Sequence, residues 1–277
     1  MTNGLNIIDA PSPNFDAREL PVSMLVLHYT GMESGQAAID RLRDPEAKVS
    51  AHYVVDEDGS ILRLVDERHR AWHAGRSHWR GVTDVNSASI GIEIVNPGHE
   101  FGYRPFTEAQ MGALIPLVAD IKERHGITRG NVVGHSDVAP ARKQDPGELF
   151  NWHALARLRL ALPRPTKNLV DPGWPDAGFM LALERFGYDV NDAEAAVVAF
   201  QRRFRPELID GEIPSHDLAP IQAHLATCDS CRARLDTARL AHERYEWQIR
   251  TLSQGQQHRH AHQLDQGGRV RVGLRQL

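Results

Sequence analysis

The sequence predicts an α/β domain followed by a small all-helical segment. Three observations point there. The run Met24 to Tyr29 (MLVLHY) is almost wholly apolar, as expected of a strand buried on both faces. From about Pro21 to Leu160, such runs alternate with helix-like segments. Beyond a proline-rich break that begins near Pro163, the pattern is helical only.

The elements follow in order. HYVVDEDGSILRLV reads as a hairpin, two apolar runs flanking Asp58-Gly59, a favoured turn dipeptide. SIGIEIVN (Ser89 to Asn96) is a strand ended by Pro97-Gly98. The next segment, from Thr107, is a helix with a capping box between Thr107 and Gln110 and a stop at Gly126. Pro116 lies inside it and is expected to kink or break it. NVVGH (Asn131 to His135) is a short strand leading into the loop SDVAPARKQDPGELF, and Trp152 to Leu160 reads as a closing helix. Pro163, Pro165, Pro172, Gly173 and Pro175 mark a linker. Gly178 to Leu225 reads as about three short helices broken at FGYDV and FRPELIDG, with Val197, Val198, Phe200 and Phe204 as an apolar stripe. After Leu225 the chain is polar, and from Gln254 onward it lacks periodicity and is expected to be disordered.

Composition narrows the function. At 277 residues, the chain is long enough for one large domain or two ordinary ones. A net charge of −4, without a basic stripe, argues against a nucleic-acid surface. No apolar run approaches the ~20 residues needed to span a bilayer. The N-terminus has no basic region followed by an apolar stretch, so the expected location is the cytoplasm, with the periplasm or cell envelope by an unrecognised export route as the alternative. Cys228 and Cys231 are too few for a disulfide framework, whereas 15 histidines invite a metal hypothesis.

Three residues read as zinc ligands. His28 ends the first buried strand, His135 ends NVVGH, and Asp145 sits in the loop KQDPG. Two imidazoles and a carboxylate make a three-ligand site with a fourth position open for water. A histidine at a strand end is, however, more often a satisfied or surface residue. Glu93 strengthens the reading. In IGIEIVN, Ile90, Ile92 and Ile94 share one face and Gly91, Glu93 and Val95 the other, and a carboxylate in mid-strand is costly to bury unless paired or in use. The alternative is an edge strand whose second face meets solvent. Lys143, two residues before Asp145, would point the same way in an extended loop and bring an ammonium to the site, or else be a solvated lysine.

LHYTGM, AHYVVDEDG, AWHAG, SIGIEIVN, VVGHSDVAP and RKQDPG, in that order, closely resemble the zinc N-acetylmuramoyl-L-alanine amidases, a family shared with peptidoglycan recognition proteins. The resemblance covers roughly residues 5–160. It implies a mixed central β-sheet flanked by helices, with zinc at one edge. It also implies His28, His135 and Asp145 as zinc ligands, Glu93 as catalytic acid/base and Lys143 as the lysine that stabilises the transition state. The activity implied is hydrolysis of the amide between N-acetylmuramic acid and L-alanine, in peptidoglycan or its muropeptide fragments, during wall turnover and recycling. Asp145 in place of cysteine resembles the bacterial recycling branch. Glu148 departs from an expected proline. A non-catalytic peptidoglycan receptor is the rival reading, and the complete set of ligands and assisting residues speaks against it. Tyr29, His52, Trp72 and His73 fall inside family-like motifs and would line the substrate groove or else pack as core and supporting residues; Asn96 would contact substrate from a strand end.

Two further resemblances divide the rest of the chain. LERFGYDV followed by AVVAFQRRFRPELIDGEI resembles a three-helix peptidoglycan-binding module, whose alternative is a helical appendage that merely packs on the catalytic domain. HLATCDSC sets His224, Cys228 and Cys231 as H-x3-C-x2-C, similar to the zinc finger of anti-sigma factors, with His216 as a candidate fourth ligand. The expected organisation is a catalytic domain over residues 5–162, a linker over 163–177, the module over 178–225 and a helical then disordered tail over 226–277.

Overall fold

The first half of the chain forms strands β1 (Ile7–Asp9), β2 (Phe15–Ala17) and β3 (Met24–Tyr29), helix α1 (Gly35–Arg43), strands β4 (Tyr53–Val55), β5 (Ile61–Arg63) and β6 (His69–Ala71), helix α2 (Val85–Ala88) and strand β7 (Ser89–Ile94). Then come α3 (Gly98–Phe101), α4 (Glu108–His125), β8 (Val132–Gly134), α5 (His135–Val138), α6 (Trp152–Arg157), α7 (Asp176–Phe186) and α8 (Ala193–Phe204). The computed structural model describes residues 5–164, 176–213 and 232, and all of these except Arg232 belong to one compact unit.

The central sheet has the order β1-β5-β4-β7-β3-β8 and is mixed, as the resemblance implies. β4, β7, β3 and β8 run parallel, while β4 and β5 form the antiparallel hairpin. Its turn spans Asp56 to Ser60, closed by Gly59 N–H to Asp56 O at 3.0 Å. β2 and β6 make a separate antiparallel pair. Strand β7 lies between β4 and β3, so it is no edge strand.

Alternation along β7 sends its isoleucines to one face. Ile90, Ile92 and Ile94 pack against Leu114, Leu117, Val118 and Ile121 of α4 and Leu155 of α6. On the opposite face, Val54, Leu64 and Val95 pack with Ile39 and Leu42 of α1. Each fully buried aliphatic side chain contributes roughly 1.5–3 kcal/mol. That burial explains why α4 runs unbroken through Pro116, contrary to the expected break. A proline costs about 3 kcal/mol in a helix interior, and the four buried aliphatic residues of α4 outweigh it. The capping box Thr107–Gln110 starts the helix, and Gly126, at φ 64°, ends it. Helix α6 stops at Arg157, short of the expected Leu160. Arg159 turns left-handed at φ 58°, and Leu160 N–H reaches back to Leu155 O at 2.9 Å, which closes the helix as a Schellman cap.

The two described helices break at residues 187–192 and after Phe204, near the expected positions, but α7 begins at Asp176, inside the expected linker of 163–177. Val197, Phe200 and Phe204 are buried, and Val198 is half-buried. Both helices pack on the first part of the chain. Trp79 meets Phe186 and Tyr188, Arg80 donates to the carbonyls of Phe186 and Gly187, and Arg203 stacks 4.0 Å over the Trp152 ring. The expected third helix and the tail lie outside the described residues.

Candidate metal centre

Parallel pairing brings the carboxyl ends of β3, β7 and β8 to one rim, the usual place for a ligand site in such sheets. His28 and Glu93 are register partners on neighbouring strands, so their side chains leave the same face side by side. His135 is the first residue after β8. Asp145 is tied to it by Ser136 N–H, which donates to Asp145 O at 2.8 Å.

The three expected ligands converge. His28 Nδ1 lies 2.9 Å from His135 Nδ1, and each of these nitrogens lies 3.0 Å from Asp145 Oδ2. All three residues are buried. A tetrahedral ion with bonds of ~2.0–2.1 Å would hold its ligand atoms roughly 3.3 Å apart, so small adjustments would seat one. Charge fits as well. Burial, with His135 second, pushes His28 down to about 4, so it is a neutral imidazole at neutral pH. Burial works to raise Asp145, but its close contacts with the two imidazoles, His135 first, hold it well below the usual carboxylate range. Neutral nitrogens and an ionised carboxylate are the protonation states a metal requires. The far nitrogen of each imidazole is also engaged, His135 Nε2 with Ala74 O at 3.0 Å and His28 Nε2 with His73 Nδ1 at 3.0 Å.

The centre opens into a cavity of about 370 Å³ lined in part by Tyr29, Trp72, Glu93, Arg142 and Lys143. Glu93 Oε2 is sealed from solvent and has no hydrogen-bond partner. Burial, reinforced by the charge of Asp145 and opposed by Lys143, pushes the Glu93 carboxyl well above its ordinary range. A half-buried acid whose inner oxygen has no structural partner, beside a triangle that could hold a metal, is the kind of group that can move protons. Lys143, half-buried on the same wall, is close enough for its charge to act on both Glu93 and His28.

The remaining candidates divide. Tyr29, Trp72 and His73 line the cavity. His52 does not reach it; fully buried, it accepts from Gly91 N–H at 3.0 Å and lies 2.9 Å from Arg18 Nη2, so it is a supporting residue rather than a groove residue. Asn96 is also buried, and its amide bridges Arg104 O and Gly98 N–H, which fastens the loop after β7. His73 stands behind His28, with both ring nitrogens engaged by protein groups. His224, Cys228 and Cys231, with His216, lie outside the described residues. The sequence reading missed the rim. Glu148 pairs with His99 at 3.1 Å and lies 3.6 Å from Arg202 Nε of α8, while His99 holds Tyr29 Oη at 3.0 Å. Its sequence signal was Glu148 itself, the one departure noted in the loop motif.

A family model described as N-acetylmuramoyl-L-alanine amidase matches residues 18–148, a span that holds His28, Glu93, His135, Lys143 and Asp145. The chain is 37% identical over 241 residues to the N-acetylmuramoyl-L-alanine amidase AmiD of Escherichia coli (strain K12), covering 74% of this chain and 82% of that protein. The chain belongs to the N-acetylmuramoyl-L-alanine amidase family. It is also 35% identical over 161 residues to the 1,6-anhydro-N-acetylmuramyl-L-alanine amidase AmpD of Haemophilus influenzae, covering 51% of this chain and 85% of that one. Among solved structures, E. coli AmiD, in complex with the substrate anhydro-N-acetylmuramic acid-L-Ala-D-gamma-Glu-L-Lys, is similar with a TM-score of 0.67 at 36% identity, covering 76% of this amidase and 92% of that chain. Pseudomonas aeruginosa AmpDh3 gives 0.66 at 33%, covering 73% and 90%. These two similarities extend well past Arg164 into the helical region, whereas the AmpD match covers about half the chain. A second model, a putative zinc-finger, matches residues 206–232, a span that contains His224, Cys228 and Cys231 and overlaps the end of the expected 178–225 module.

Proposed function

We propose that this amidase uses zinc, held by His28, His135 and Asp145, to hydrolyse the amide between the lactyl group of N-acetylmuramic acid and L-alanine in peptidoglycan fragments. The observation that carries the reading is the buried triangle of His28 Nδ1, His135 Nδ1 and Asp145 Oδ2, with Glu93 in register beside His28. Zinc bound there would polarise the scissile carbonyl and lower the pKa of a water at its open position. The carboxylate of Glu93 takes a proton from the attacking water as its oxygen bonds to the lactyl carbonyl carbon. The Lys143 ammonium donates to the carbonyl oxygen as it becomes an anion. Glu93 then returns the proton to the alanine nitrogen while the C–N bond breaks, leaving a lactyl carboxylic acid and an L-alanine amine, which exchange a proton to become carboxylate and ammonium. A carboxyl made more basic by burial suits both halves of this exchange. The resemblance to proteins solved with anhydromuramyl peptides bound supports fragments of this class as substrates.

Digestion of a soluble anhydromuramyl peptide and of intact sacculi, followed by mass spectrometry, tests the reading. New L-alanine N-termini are expected, and cleavage within the peptide or the glycan would overturn it. Lys143→Ala is expected to keep its zinc and lose about 10²–10³ in turnover, the scale for one oxyanion donor, as read by kinetics beside metal analysis.

The zinc-finger match supports a second proposal for His224, Cys228 and Cys231, a separate structural zinc. Two zinc ions per chain are expected, falling to one in the Cys228→Ser, Cys231→Ser protein with muropeptide turnover kept; a single zinc in the unaltered chain would count against the finger. Peptidoglycan binding by the region 178–225 is likewise a proposal, supported by its resemblance to a binding module. Co-sedimentation of the inactive Glu93→Gln chain with sacculi tests it.

A further inference from the structure

We propose that His73 is a positioning residue that aims the metal-binding nitrogen of His28, through a one-way hydrogen-bond relay ending on a backbone carbonyl; the inference rests on the metal centre proposed above. The direction of the relay follows from its far end. Val85 O only accepts, and Ser89 Oγ lies 2.5 Å from it, so the single hydroxyl proton of Ser89 goes there. Ser89 Oγ is then an acceptor for His73 Nε2 at 3.2 Å, which places the proton of His73 on Nε2. The other ring nitrogen, His73 Nδ1, is left with a lone pair, 3.0 Å from His28 Nε2. His28 must donate from Nε2, so its Nδ1 is free of hydrogen and directs its lone pair at His135 and Asp145.

The relay requires a fixed His73, and the ring is buried. Asn86 Oδ1 accepts from the backbone N–H of His73 at 3.1 Å and of Ala74 at 2.7 Å, which pins the chain at that point. The ring lies directly on Gly91, where an added Cβ would fall 2.4 Å from His73 Cγ. Glycine in mid-strand costs sheet stability, and here it makes room for the imidazole. His73 edges His28 at a ring separation of 5.0 Å and an interplanar angle of 81°.

The test measures zinc affinity by chelator competition, in a Cys228→Ser, Cys231→Ser background so that only this centre is read. His73→Phe keeps a ring over Gly91 but has no acceptor. It is expected to weaken zinc 10–100-fold, the usual scale for a lost partner of a metal-bound histidine, while the zinc-free melting temperature stays close to that of the parent. His73→Asn, whose Oδ1 replaces Nδ1 as acceptor, is expected to recover most of that affinity, an effect that packing alone would not produce. Ser89→Ala, which removes the far end of the relay, is expected to weaken zinc roughly 10-fold and serves if the Phe variant fails to fold. Unchanged affinity in folded His73→Phe or Ser89→Ala, beside lost affinity in Asp145→Ala, would overturn the relay and leave the centre standing. Unchanged affinity in Asp145→Ala as well would overturn the centre and the relay together.

Discussion

Asp145→Ala is expected to lose zinc and muropeptide turnover together, whereas Glu93→Gln keeps its zinc and loses turnover alone. Asp145 supplies the only charge among the three ligand atoms, and its Oδ2 sits 3.0 Å from both histidine nitrogens. Without it, two neutral imidazoles remain, a poor site for a dication that favours three protein ligands in catalytic centres. Glu93 has no such duty. Its Oε2 is sealed and partnerless, its neighbour in register is His28, and glutamine fills the same space without accepting a proton. General acid–base catalysis contributes typically 10²–10⁴-fold, and one carboxylate here serves both attack and departure, so a loss near the upper end, about 10⁴, is expected. Metal analysis of each variant beside kinetics on one muropeptide reads both. Near-normal turnover in zinc-replete Glu93→Gln would remove the proton-transfer role.

Arg203→Met is expected to destabilise the whole amidase by about 3–5 kcal/mol, the cost of stranding one partner of a buried ion pair. Asp137 is 1% exposed and lies two residues after His135, a proposed ligand. Its carboxylate accepts from Tyr188 Oη at 2.5 Å, from Gly134 N–H at 2.7 Å and from Arg203 Nη1. Arg203 also donates to Val132 O on β8 at 2.9 Å and lies over Trp152. Helix α8 and the turn after α7 therefore hold the short segment that carries His135. Methionine preserves the stem over the indole but leaves Asp137 with less compensation for its charge. At roughly 2–4 °C per kcal/mol for a unit of 150–250 residues, the melting temperature is expected to fall on the order of 10 °C. A shift of a degree or two would mean that α8 only rests on the catalytic part. The same contacts predict that a chain cut after Leu162 is less stable than the intact one.

Much of the centre was legible because its chemistry sits at element ends and in strand alternation. His28 closes an apolar run, and Glu93 interrupts the isoleucine face of β7 from the other side, so the residues announce themselves. Their pairing did not, because parallel register between β3 and β7 is set by the crossover and not by local sequence. His73 shows the limit most clearly. AWHAG marks it as a candidate, but its place behind His28 depends on a loop returning under the sheet. The signal that could have found it is Gly91, a residue without a side chain where Ile, Glu and Val otherwise fill the strand, which marks a close approach. Pro116 read as a kink or a break because local rules weigh the lost hydrogen bond and not the four buried aliphatic residues of α4, which is continuous. Arg203, the second of two adjacent arginines, carries no local sign of burial, and only the docking of α8 on α5 and α6 makes it a buried partner.

The central claim is that His28, His135 and Asp145 hold the zinc on which amide cleavage depends. It is tested most directly by returning zinc in measured amounts to metal-stripped Cys228→Ser, Cys231→Ser protein while following release of L-alanine N-termini from an anhydromuramyl peptide. Turnover is expected to be absent in the stripped protein and to rise linearly to a plateau at one zinc per chain. Full turnover before any zinc is added, or a plateau that Asp145→Ala reaches equally well, would contradict it.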